Sequence, residues 1–245
     1  MDDDDETTTK DTPSLQVTLN TQVTPALVAS PKTEFFKKDI NRAVAQMLEK
    51  SSYVVGCVAW VTEYQILRAM SKQVGVCLIV QRETYLVRKD KRDDWRIRLK
   101  ATYAKLPHFP FHSLTTKDPM QMAVFKQIAK EQKEKAMAVR YMGKQQTRRV
   151  QNRQHAKTPA VEDQMAVEKQ GVEPEDASMM HNKFLVFFNA SGQPFAAWMG
   201  SSNLTKNAEN SLENAVIFHD VETAKYYFNL FLELLPHSYA LAMPS

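Results

Sequence analysis

Residues 179 to 216 read MMHNKFLVFFNASGQPFAAWMGSSNLTKNAENSLENAV, and this stretch decides how the rest of the chain is read. From Phe184 to Thr205 it carries no charged residue, a length that approaches a membrane helix. Asn189, Ser191, Gly192, Gln193 and Pro194 break it in the middle, so the pattern predicts two strands joined by a turn. His181 and Lys183 stand two apart at the head of the first apolar run, a spacing that sends both side chains to one face of a strand. A nucleophile and a cation would then share a pocket. Gly200, Ser201, Ser202 and Asn203 follow the second run, where a small-residue turn presents backbone N–H, hydroxyl and amide donors to an anion. Glu213 completes the set as a carboxylate able to orient an imidazole.

Taken in this order, the residues resemble the phospholipase D superfamily, the HKD family. Its signature pairs an H-x-K-x-x-x-x-D strand with a later G-S-x-N turn and an E-N-A-like strand opening. His181, Lys183, Gly200, Ser201, Asn203 and Glu213 match, and Asn189 is set against the signature's aspartate, a group that supports the motif's geometry and does not attack. The likeness is close over residues 179 to 218, looser over 15 to 235, and extends to small bacterial endonucleases with a single motif. It implies an α/β fold with a mixed, mostly parallel central sheet flanked by helices on both faces.

The chemistry follows from the residue types. A neutral His181 attacks a phosphodiester phosphorus and forms a phosphohistidine, splitting one displacement into two. Lys183 and Asn203 hold the non-bridging oxygens, with Ser201 or Ser202 adding a donor, and Glu213 fixes the imidazole tautomer. A second imidazole must protonate the leaving oxygen and later activate water. The chain has one copy of the motif, and His108, His112, His155, His219 and His237 lack a Lys two residues on. Single-copy members are similar to obligate homodimers, so the expectation is an isologous dimer with a composite site and no metal or other cofactor. The expected function is a metal-independent endonuclease on DNA or RNA. The alternatives are a phospholipase D acting on phosphatidyl esters and a catalytically weak nucleic-acid-binding protein.

Composition sets the outer bounds. The chain has 245 residues, 43% apolar and 24% charged, and a formal net charge of +4 that includes five acids at positions 2 to 6. The remainder is therefore more basic still, which favours a polyanionic partner. Residues 1 to 13 read as a disordered acidic tail, and 14 to 245 as one domain. Cys57 and Cys77 lie inside apolar runs and read as reduced core thiols, which fits a reducing, cytoplasmic setting. No basic-then-apolar leader and no transmembrane segment is read in the sequence.

Along the chain, Leu15 to Val23 alternates as an edge strand would, and Phe35, Ile40, Val44, Met47 and Leu48 recur at helical spacing after Thr33, read as an N-cap. Tyr53 to Trp60 and Val74 to Val80 are apolar strands with a helix over Glu63 to Met70 between them, a parallel βαβ unit. A dinucleotide site is excluded there, because no Gly-x-Gly-x-x-Gly turn occurs. Residues 82 to 105 mix nine Lys or Arg with Tyr85, Trp95 and Tyr103, a pattern that suits either a nucleic-acid surface or a solvated helix. Asp118 and Pro119 open a helix to about Lys135, and Ala136 to Met142 is a strand. From about 143 to 177 the chain reads as a flexible charged excursion. The basic stretch from Arg140 to Lys157, which leads into it, supplies the candidate nucleic-acid contacts Arg140, Lys144, Arg148, Arg149, Arg153 and Lys157. Ala215 to His219 is a strand, and Glu222 to Leu235 an amphipathic helix.

Overall fold

The computed structural model describes residues 32–83, 94–134, 136–143 and 179–242. The tail, the Leu15 to Val23 strand, Tyr85 and most of the charged excursion lie outside these residues. Eight strands form one sheet: β1 (Thr33–Phe36), β2 (Tyr53–Val58), β3 (Gly75–Gln81), β4 (Ala136–Met142), β5 (Lys183–Phe188), β6 (Pro194–Gly200), β7 (Ala215–Phe218) and β8 (Tyr239–Ala242). Their order is β1-β7-β6-β5-β2-β3-β4-β8. The helices are α1 (Ile40–Lys50), α2 (Tyr64–Met70), α3 (Asp94–Tyr103), α4 (Pro119–Lys133) and α5 (Val221–Leu234).

Helices cover both faces, as expected. Alternation along β2 sends Val54 and Val58 to one face with Val44 and Leu48 of α1, Leu67 and Met70 of α2, and Leu99 and Tyr103 of α3. Val55 and Cys57 go to the other, with Phe125 and Ile128 of α4 and Phe228 and Phe231 of α5. Strands buried on both sides must be apolar throughout, which is why β2, β3 and β5 read as unbroken runs. Burying one such Phe or Leu contributes about 2 kcal/mol, so the centre of the sheet is the anchored part of the molecule.

The sheet is mixed, but it is not mostly parallel. Only β2 with β3 and β3 with β4 run parallel, and the five other pairings are antiparallel. The parallel pairs are those joined through helical crossovers, whereas β5 and β6 follow one another through a turn too short for a crossover.

The start of α1 also differs from its reading. Thr33 is not an N-cap: it pairs with Phe218 in β1, and Phe35 stands 78% exposed on that edge strand. The chain turns through Asp39, whose φ of 55° is left-handed, and the helix begins at Ile40. Two consecutive phenylalanines favour a strand, and that preference overrode the helical spacing. Glu63 caps α2 and Asp118 caps α4 through backbone N–H groups, with Pro119 at the first turn as expected.

Cys57 and Cys77 are free and buried. Burial pushes both thiols up, Cys77 to about 12, so neither forms a thiolate readily. Among the described residues no helix is long and apolar enough to cross a membrane.

Candidate active site

The motif gathers at one end of the sheet, where β2, β3 and β6 finish and β5 and β7 begin. His181 precedes β5 and its side chain faces solvent. Lys183, the first residue of β5, is 6% exposed, and its ammonium donates to the carbonyl oxygen of His181 at 2.9 Å. Desolvation lowers the Lys183 pKa below the usual lysine value, and the charge of Glu213 partly opposes that shift. The ammonium is thus tied to the backbone of the residue that carries the exposed imidazole, although His181 itself lies just before the strand rather than on it.

Asn203 reaches the same place from the end of β6. Its Oδ1 accepts the backbone N–H of Trp60 at 3.3 Å. An N–H can only donate, so the amide oxygen is the atom facing Trp60, and the NH2 group remains as the donor. The strand end is tight. A Cβ on Gly200 would lie 2.4 Å from the Asn214 carbonyl oxygen, so only glycine lets β6 close onto β7 there.

The two serines and Glu213 take other roles than those expected. The Ser201 hydroxyl donates to the Glu213 carboxylate and accepts the N–H of Asn214 at 3.0 Å. Ser202 is buried, and its hydroxyl donates to the Asn203 carbonyl at 2.9 Å. Both hydroxyls therefore brace the turn. Glu213 sits within electrostatic reach of Lys183 and holds Ser201, and no hydrogen bond joins it to the His181 ring among the described residues.

Asn189 is elsewhere altogether. Its Oδ1 accepts from Ser191 at 2.7 Å and from the Gln193 N–H at 2.9 Å, closing the turn between β5 and β6. Six steps of extended chain from Lys183 put it about 20 Å from the site. The signature's four-residue gap after Lys183 in fact ends on Phe188, which is fully buried in the core, so the match to Asn189 is a correction as well as a relocation.

Of the candidate nucleic-acid contacts, Arg140 is contradicted. It is 6% exposed, donates to Ser238 Oγ at 2.7 Å and to the Ser238 carbonyl at 2.9 Å, and pairs with Glu131 at 2.5 Å. It lies on β4 among buried neighbours, so its charge ties α4 to the approach to β8. Lys144, Arg148, Arg149, Arg153 and Lys157 lie outside the described residues. In α3, Tyr103 is also internal, donating to the Val61 carbonyl at 2.7 Å, while Trp95 stands 41% exposed with the Arg96 guanidinium 5.3 Å from its ring centroid.

Sequence reasoning missed four residues: Trp60, Gln81, Lys37 and Lys38. Trp60 meets the His181 ring edge-on at 6.2 Å, and its indole N–H donates to Glu83 at 2.9 Å. Gln81, fully buried at the end of β3, accepts the Met180 N–H at 2.7 Å and so fixes the segment that delivers His181. A polar amide closing an apolar strand was the available signal. Lys37 and Lys38 line a hollow of about 240 Å³, much of it open to solvent, that Ser202 and Glu213 also border.

A family model described as cardiolipin synthase, PLD-like domain, matches residues 39–235, most of the chain. The chain belongs to this PLD-like family. Membership places it in the phospholipase D superfamily. The PLD-like chain is 24% identical over 209 residues to the uncharacterized protein L381 of Acanthamoeba polyphaga mimivirus, covering 82% of this chain and 64% of that one. It therefore spans slightly less than two thirds of that relative's length. Among solved structures it is similar to NucT from Helicobacter pylori, with 14% identity, 86% of this chain, 99% of that one and a TM-score of 0.49. The phospholipase D family member Nuc from Salmonella typhimurium matches at 10% identity, 87% of this chain, 99% of that one and a TM-score of 0.45. Resemblance this loose bears on neither substrate nor assembly.

Proposed function

We propose that this PLD-like chain is a phosphodiesterase acting through a phosphohistidine, as a metal-independent endonuclease on DNA or RNA. The observation that carries the reading is the solvent-exposed His181 two residues from the buried Lys183, whose ammonium holds the His181 carbonyl, with the Asn203 NH2 group left as a donor. A ring nitrogen of neutral His181 forms a bond to phosphorus as the bond to the leaving oxygen breaks, and a second imidazole gives that oxygen its proton. The same imidazole then takes a proton from water, whose oxygen displaces His181 and releases the phosphate product. Lys183 and Asn203 stabilise the charge that builds on the non-bridging oxygens.

The second imidazole comes, in this reading, from a second copy of the chain. Among the described residues, His108 pairs near the start of β3, His112 lies in the short helical turn that follows it, and His219 comes just after β7, all toward the far end of the sheet. His237 precedes β8, four strands from β5. A two-fold axis beside His181 would supply the missing ring. The net positive charge supports a polyanionic substrate.

Phosphatidyl esters are the second reading, favoured by apolar side chains next to the site. Met179, two residues before His181, is 41% exposed, and Leu212, beside Glu213, is fully exposed. Incubation with EDTA and separately with single-stranded DNA, duplex DNA, RNA and phospholipid vesicles, beside His181→Ala, separates the two. Cleavage of nucleic acid in EDTA that His181→Ala abolishes supports the nuclease. Turnover of lipid alone overturns it.

A further inference from the structure

Two tryptophans in this chain differ in a telling way. Trp198, on β6, is fully buried, and its indole N–H has no hydrogen-bond partner among the described residues, as befits a ring that packs. Trp60 is half-buried, with one side on the core of the α4 and α5 face. It is held by three bonds from two segments: its backbone N–H bonds Asn203, its carbonyl accepts the Leu204 N–H at 3.0 Å, and its indole N–H bonds Glu83. These restraints fix the plane of a large apolar ring one ring-to-ring contact, 6.2 Å, from the nucleophile.

We infer that Trp60, clamped by Glu83, is a stacking subsite for the nucleobase beside the scissile phosphate. The inference rests on the nuclease reading and names the part of the substrate that His181, Lys183 and Asn203 do not address. Those three recognise only phosphorus and its oxygens, which are common to every phosphodiester. An aromatic face adds attraction for any base, because every base has a π-face, and so gives affinity without sequence preference. Glu83 contributes by orientation. A free indole loses rotational freedom when a base settles on it, and a ring already held does not.

The test uses a single-stranded oligonucleotide with one cleavable phosphodiester, the other linkages being methylphosphonates, and with a base or an abasic sugar on each side of that bond. Trp60→Ala should raise KM on the fully based substrate roughly tenfold with kcat changed by less than about threefold, and Trp60→Phe should recover most of the loss. Removing the base on one side should raise the wild-type KM by a similar factor and leave that of Trp60→Ala unmoved. Glu83→Gln, which retains an acceptor for the indole, should restore what Glu83→Ala loses. Losses that simply multiply, or a fall in kcat at constant KM, would overturn the subsite and make Trp60 a support for His181 or Asn203. Failure of the nuclease reading looks different: wild type cleaves none of the oligonucleotides but turns over phosphatidylcholine vesicles. The nucleobase subsite then falls with it, and a vesicle defect in Trp60→Ala would assign the ring to the choline cation.

Discussion

The Lys183 ammonium donates to the backbone carbonyl of His181, 2.9 Å away, while its stem is buried at the head of β5. The cation and the imidazole are thus tied to one short piece of chain, and a shift of either carries the other. Keeping that charge out of water costs stability, which is why its pKa is lowered.

Lys183→Met should therefore lower turnover by about two to three orders of magnitude while leaving the melting temperature equal or higher at pH 7. The pH dependence has a definite sign. Between the depressed folded pKa and the ordinary 10.5, the unfolded chain binds more protons than the native one, so wild-type stability rises with pH there. The advantage of the methionine variant should shrink as pH approaches 10, and calorimetry of both proteins across that range checks it. A clear drop in the melting temperature of Lys183→Met at pH 7 would mean that the amine's contacts outweigh its desolvation.

Asn203→Asp separates the two ends of one amide. The aspartate still accepts the Trp60 N–H, so the fold holds, but a carboxylate replaces the NH2 donor where phosphate oxygens would lie. Turnover should fall by at least about a hundredfold with little change in thermal stability. Retained activity would show that the NH2 group does not serve the phosphate.

Asn189 should matter only to the turn. Asn189→Ala removes the acceptor of two hydrogen bonds and should cost about 1 kcal/mol in urea unfolding, with turnover unchanged at a site about 20 Å away. Asn189→Asp keeps the acceptor and should be close to neutral in both measurements. A selective loss of turnover in Asn189→Asp would return this residue to the motif.

Arg140→Ala should behave as a core lesion. It strands the partly buried Glu131 carboxylate and removes the bonds to Ser238, a loss of about 3 kcal/mol or more. Affinity for single-stranded DNA, measured by anisotropy well below the melting temperature, should stay within twofold of wild type. A weakened complex with stability intact would restore Arg140 to the binding surface.

The sequence alone determined a good deal. Apolar runs without alternation required strands covered on both faces, and the Asp118-Pro119 pair placed the start of its helix. The order H-x-K, G-S-S-N, E-N-A pointed to the PLD-like family, because each of these is a local signal written within a few residues. What only the tertiary structure decided involves partners far apart in the chain. Trp60 meets Asn203 across 143 positions, Arg140 turns inward because Ser238 lies across 98, and Gln81 holds Met180 across 99. A side chain's role depends on whether folding brings it a partner or leaves it in water, and no window of neighbouring residues contains that information. The direction of the strands followed the same rule, since the pairing of β5 with β2 is set by packing across the sheet and not by the pattern of either strand.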